Sequence, residues 1–360
     1  MLDIKSVLQP LRVAENLKAL PPISQATAAL LIILTASCRS TPPAPPLQRF
    51  EFSSAHMGTR FSITLFAPEK QLAESAAEAA FQKIAQLDDI LSDYKADSEL
   101  LRLSDVPAGK PVQISAELFD VLEQAEKFSK LSHGAFDVTV GPVVRLWRFS
   151  RKRKVLPTKS ERQSALQAVG YRKLQLNRSA RTATLLVPNM RLDVGGIAKG
   201  YAADQALAVL KGKGIDRALV AASGDIALGA PPPGQRGWRV QIATMYAGTN
   251  EPPLLLRNSA VSTSGDVEQS IEINGVRYSH IVDPVTGLGL TNRIQATIVG
   301  PNATTTDALA TGVSVLGAER GMALINSLPR TEALIFVENH GEKRALTSHG
   351  FKKLPRPGNE

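Results

Sequence analysis

The stretch Arg191–Asp204 (RLDVGGIAKGYAAD) brings a carboxylate, a glycine pair and a helix start into fourteen residues. Met190 to Val194 reads as the end of a strand, Gly195 and Gly196 as a tight turn, and Ile197 to Leu210 as a helix with one apolar face. Glycines let the backbone approach a ligand closely, and the N–H groups of a first helical turn attract phosphate. The chemistry on offer is anion or metal binding, although a plain strand-to-helix connection would use the same residues.

Four further segments carry groups able to act with it. His280 lies at the end of an apparent hairpin, just before a turn built from Asp283, Pro284 and Gly287; of the five histidines it has the densest polar context. An imidazole there suits proton transfer near neutral pH, although a lone histidine is more often structural. Asp307 and Thr311 are four apart, so at a helix start they share a face and present two oxygens. Oxygen-only ligation suits a hard ion such as Mg²⁺, and the lack of His and Cys neighbours argues against zinc. Helix capping by one of the threonines is the structural alternative. Met57 and Tyr94 sit on irregular segments and suit stacking against a flat aromatic ligand, and Phe136, in the run His133–Pro142 (HGAFDVTVGP), adds another flat surface.

With 360 residues and 43% hydrophobic content the chain can bury a full core. Ala26 to Ser37 is an uncharged apolar run of twelve residues, behind Lys5, Arg12 and Lys18 and ahead of Cys38. A membrane-spanning helix needs roughly twenty, so the run suits a signal-peptide core. The end of the run at Cys38, the only cysteine, resembles a bacterial lipoprotein processing site, although Thr35 replaces the usual leucine and the leader is long. The Pro-rich spacer that follows would hold a folded body off a membrane. Residues 1–37 are thus read as an export signal, 38–49 as lipidated cysteine and linker, 50–340 as the body and 341–360 as a basic tail. The net charge of +9 gathers in Arg145 to Lys154 (RLWRFSRKRK) and in that tail; without a nucleic-acid motif it reads as a solvated basic loop near an anionic membrane face or a phosphate-bearing ligand.

The elements that must position these groups are strands and helices in irregular alternation. Two strands flank His56-Met57-Gly58, helices are expected over 69–92, 115–131, 197–210 and 305–327, and short strands near 173–176, 184–187, 218–222, 238–243, 260–262, 270–273, 293–299 and 333–337. The mixture predicts an α+β fold, one compact body with mixed or antiparallel sheets and flanking helices.

Taken together, MGT (57–59), SDYKADSEL (92–100), HGAFDVTVGP (133–142), LDVGGIAKGYAAD (192–204), SGD, YSHIVDPVTG (278–287) and TDALATG (306–312) resemble the ApbE family of FAD:protein FMN transferases, from about Phe50 to Val337. The resemblance implies FAD as substrate, with the FMN moiety passed to a threonine or serine hydroxyl of an acceptor protein and AMP released. It places Met57, Tyr94, Ala135, Phe136, Asp137, Asp193, Lys199 and Ile281 on FAD-contacting positions. Gly196, through its carbonyl, with Asp307 and Thr311, falls on Mg²⁺ positions, and His280 on the residue that activates the acceptor hydroxyl. Ala310 stands where some members carry a carboxylate, so the ion would have one fewer side-chain ligand. The acceptor implied is a membrane redox subunit, and the location the periplasmic side of a bacterial inner membrane, with a lipid anchor and no nucleic acid. Two alternatives use the same site: hydrolysis of FAD to FMN and AMP, and an FAD-binding lipoprotein without chemistry.

Overall fold

The structure, a computed structural model, describes residues 45–246, 251–265, 270–339 and 341–358. The expected export signal, Cys38 and most of the spacer lie outside the described residues.

Eight strands form the central sheet: β1 (Gln48–His56), β2 (Thr59–Ala67), β3 (Ala218–Ala222), β4 (Asp225–Leu228), β5 (Ser259–Gly265), β6 (Arg293–Gly300), β7 (Glu332–Asn339) and β8 (Glu342–Thr347). Each lies beside its successor in chain order, and every pair is antiparallel. The sheet is a meander whose connections have been expanded into the helices and small hairpins that build the site. Its alternation is plain in β7, where Ala333, Ile335 and Val337 join one core cluster and Leu334 and Phe336 another. Both faces are therefore covered, one by helices and the other by the hairpin Trp238–Val240/Leu254–Leu256 with Phe351.

The longer helices are α1 (Lys70–Leu91), α2 (Ala116–Leu131), α3 (Gly141–Arg153), α4 (Ala198–Gly212), α5 (Ala303–Leu316) and α6 (Ala318–Asn326); α3 packs apart from the layer on the sheet, in a separate cluster with Tyr278 and Val282. α1 buries Ala73, Ala76, Ala77, Ala80, Ile84, Leu87 and Leu91, a stripe at helical spacing whose small members let α4 pack close. α4 packs in turn on α5, which lies across β5 and β6. Ser115 caps α2 as expected, accepting from the Leu118 N–H at 3.1 Å.

Several expectations are corrected. The basic segment Arg145 to Lys154 is not a loop: it belongs to α3, which buries Val143, Trp147 and Ser150 at helical spacing beneath its charges. Met190 to Val194 forms no strand, only one parallel bridge between Val140 and Arg191; the buried alternation of Met190, Leu192 and Val194 mimics one. The single helix expected over 305–327 is two, divided at Gly317 with φ 80°. The basic tail is part of the body, since β8 pairs with β7 and Phe351 is buried. At the other end β1 begins at Gln48, inside the expected linker.

Candidate active site

The α4 segment meets α5 through residues four apart. Gly196, just before α4, lies so close to α5 that an added Cβ would stand 2.9 Å from Thr311 Oγ1. At Gly200 the same atom would collide with the Ala303 carbonyl and sit 2.8 Å from Asp307 Cβ. Asp204 then accepts from the Ala303 and Thr304 N–H groups at 2.8 Å and from the Thr304 hydroxyl at 2.6 Å, so α4 supplies a carboxylate to the first turn of α5. The glycines thus serve helix contact as well as ligand approach.

That contact brings Lys199 between two carboxylates. Its Nζ lies 3.0 Å from Asp225 Oδ2 and 3.5 Å from Asp307 Oδ2, and donates to the Gly195 carbonyl at 3.3 Å. Burial pulls the Lys199 ammonium down, but the two carboxylates outweigh it and the net shift is upward. Burial and the neighbouring Asp225 charge push Asp307 up to about 7 against the opposing pull of Lys199. Asp225 enters through the tight turn between β3 and β4, where Ser223 has φ 56° and Gly224 lies against the Thr263 carbonyl.

A second charged group lies on the same cavity. Asp193 accepts from the Gly195 N–H at 2.9 Å and lies 3.4 Å from the Arg148 guanidinium, which also bonds Asp93. Burial, then the Asp93 charge, raises Asp193 to about 6. The Arg148 guanidinium carbon lies 4.1 Å from the centre of the Tyr94 ring.

His280 is half-buried and held by its surroundings. The Ser279 N–H donates to the Leu290 carbonyl at 2.7 Å, and the Leu290 N–H to the Ile281 carbonyl at 2.9 Å. Trp147 of α3 donates its indole N–H to the Ser279 carbonyl at 3.1 Å and meets the Tyr278 ring edge-on at 5.3 Å. The following turn closes through the Gly287 N–H on the Asp283 carbonyl, with Gly287 at φ 68°.

One cavity of about 1220 Å³ gathers these groups. Met57, Tyr94, Ala135, Phe136, Asp137, Asp193, Gly196, Lys199, His280, Ile281, Asp307 and Thr311 all line it, so the twelve residues expected at the FAD, Mg²⁺ and acceptor positions reach one space. Two contribute differently from expectation. Phe136 is only 4% exposed and packs its ring on Phe128, so it is wall rather than open platform. The Asp137 carboxylate is engaged by Thr139 and by the Tyr171 N–H, which makes it a brace for the loop.

Residues 57–335 match the model of the ApbE family. The chain belongs to the ApbE family. An FAD:protein FMN transferase of Vibrio cholerae is 31% identical over 330 residues, covering 89% of this chain and 96% of that protein. A second, from Treponema pallidum, is 33% identical over 322 residues, covering 84% and 88%. The solved structure of the flavin transferase ApbE from Vibrio cholerae aligns with a TM-score of 0.78 at 30% identity, over 86% of this chain and 100% of that one.

In this ApbE-family chain the sequence reading missed Asp225, Asp93 and Arg148. Asp225 had a usable signal, a carboxylate directly after a Ser-Gly turn. Arg148 had none, because it sat in what reads as a solvated charge run.

Proposed function

We propose that this chain is an FAD:protein FMN transferase that moves the FMN moiety of FAD onto a threonine or serine hydroxyl of an acceptor protein and releases AMP. The observation that carries this is the convergence on one cavity of a half-buried histidine, a lysine between two carboxylates and a glycine turn. At about 1220 Å³ the cavity exceeds the roughly 300–1,000 Å³ of pockets that take drug-sized ligands, which leaves room for a dinucleotide.

In the reaction the acceptor oxygen attacks the FMN phosphorus, the bond from that phosphorus to the oxygen bridging to AMP breaks, and AMP departs with that oxygen. His280 takes the hydroxyl proton as the new phosphoester forms. Lys199 presents a permanent positive charge to the pyrophosphate, and the Gly195-Gly196 turn brings backbone close to the same group. Asp307, Thr311 and the Gly196 carbonyl would hold Mg²⁺. The donors are oxygen throughout, and Gly196 meets Thr311 at a separation that no Cβ would allow, which fits a small hard cation. When bound, the ion neutralises pyrophosphate charge and the charge growing on the departing phosphate. The acceptor is a membrane redox subunit and the enzyme a lipoprotein on the periplasmic side of the inner membrane. The support is the apolar run Ala26–Ser37 ahead of Cys38 and the Pro-rich spacer.

The test is incubation of the protein with FAD, Mg²⁺ and a candidate acceptor, followed by mass spectrometry of the acceptor. An FMN adduct on threonine or serine is expected. FMN and AMP without adduct would mean hydrolysis, and FAD intact after prolonged incubation would mean binding without chemistry.

A further inference from the structure

α3 has two faces, and the inner one joins three parts of the site. Its start is pinned to the Asp193 segment: a Cβ on Gly141 would lie 2.6 Å from the Arg191 carbonyl, and the Asp193 N–H donates to the Val138 carbonyl at 2.8 Å. Trp147 then holds the His280 hairpin. The next residue, Arg148, points its guanidinium at Asp93, Asp193 and the face of Tyr94.

Tyr94 is 78% exposed, so little apolar burial fixes its ring. Its backbone is fixed: Ser92 Oγ accepts from the Tyr94 and Lys95 N–H groups at 3.2 and 3.1 Å, and Lys95 pairs with Asp88 and Asp89. What orients the ring is the flat cation beneath it. Arginine, unlike lysine, can stack flat on an aromatic face while its edge N–H groups bond carboxylates. Removing it would leave Asp93 and Asp193 facing each other without a counter-charge.

We propose that Arg148 is a positioning residue for FAD, stacking beneath Tyr94 and bridging Asp93 to Asp193 so that the ring and the carboxylate face the cavity in one fixed arrangement. This rests on the transferase reading of the same cavity. Arg148 is one-third exposed but its carboxylate partners are mostly buried, so its removal also costs stability, and affinity is compared among variants shown to be folded.

A double-mutant cycle in the full chain separates this role from a structural one, with FAD affinity read by flavin fluorescence and KM and kcat by transfer. Arg148→Met is expected to raise the FAD dissociation constant about tenfold, the combined scale of a cation–π contact at a partly exposed site and of the ion pairs to Asp93 and Asp193. At saturating FAD, kcat should stay within about threefold of wild type. In a Tyr94→Ala background the same change should alter affinity less than about threefold, because the two side chains act together. Arg148→Lys, which keeps charge but not the flat stack, should fall between, and it carries the cycle if the methionine variant fails to fold. Additive effects of the two sites, or unchanged FAD affinity, would overturn the proposal. Wild-type protein that binds no FAD would instead overturn the functional reading.

Discussion

The backbone N–H of Gly200 donates to the Asp307 carboxylate at 3.0 Å, which locks α4, the helix carrying Lys199, to α5, the helix carrying Asp307 and Thr311. A methyl group at Gly200 would strike the Ala303 carbonyl, which is backbone and cannot rotate aside. Gly200→Ala is therefore expected to destabilise the fold by about 1–3 kcal/mol or more and to weaken the site with it. Gly212, on the same helix, has open space around its Cβ position, and Gly212→Ala should be neutral or slightly stabilising. Denaturant unfolding of the two variants side by side checks this; equal effects would mean that the helix contact is looser than it stands.

The backbone around His280 is held by the hairpin and by Trp147, so removing its imidazole should leave the hairpin in place. His280→Ala is expected to keep FAD affinity within about threefold while the transfer rate falls 10²- to 10⁴-fold, the usual range for a general base. Flavin fluorescence and adduct mass measure the two separately. Near-normal transfer by this variant would remove His280 from the mechanism.

Much of this site was legible because its signals are local. Glycines and turn formers around Met57, Gly134, Gly195 and Asp283 mark loops whose geometry is decided within a few residues. The strands of the sheet were found where alternation was strong, as in β2, or where the segment is buried almost throughout, as in β6 and β7. What stayed hidden depends on partners far along the chain. Gly200 reads as a helix glycine until Asp307 is seen against it, and Asp204 as a surface acid until it is seen beneath α5. Arg148 lies among five other basic residues in the Arg145 to Lys154 run, and only its contact with Asp93 and Tyr94 distinguishes it. α3 itself was obscured because four buried positions, two of them Gly141 and Ser150, are a faint apolar pattern beneath so much charge.

Asp307 gives the metal site a pH dependence. Burial first, then Asp225, lifts its carboxyl to about 7 from an ordinary 3.8, so the metal-free fold gains stability from the bound proton below pH 3.8 and loses it as the pH rises through 7. A cation must displace that proton, so Mg²⁺ should bind more weakly at pH 6 than at pH 8, by about tenfold. Thermal shift on adding Mg²⁺ without FAD reads this without involving the reaction. The shift should be larger at pH 8, and Asp307→Ala should raise the Mg²⁺ requirement and flatten the difference. A titration midpoint that ignores both pH and this substitution would exclude Asp307 as a ligand.

Lys199 stands between Asp225 and Asp307 and is the cation that neutralises them within the chain itself. Lys199→Met keeps most of the length of the side chain and removes that charge, leaving two buried carboxylates to repel each other. Breaking a fully buried pair costs about 3–5 kcal/mol. The loss here should fall below that, because Asp307 can take up a proton. At pH 8 that relief is smallest, so the variant should unfold at clearly lower denaturant in EDTA. A divalent cation between the two carboxylates would replace the missing charge, so Mg²⁺ should restore most of the stability while transfer stays slow for want of a positive group on the pyrophosphate. Urea titration at pH 8 in EDTA and in Mg²⁺ gives the comparison. Equal stability of variant and wild type in EDTA would show that the carboxylates do not depend on Lys199, and a deficit that Mg²⁺ leaves untouched would place the cation elsewhere.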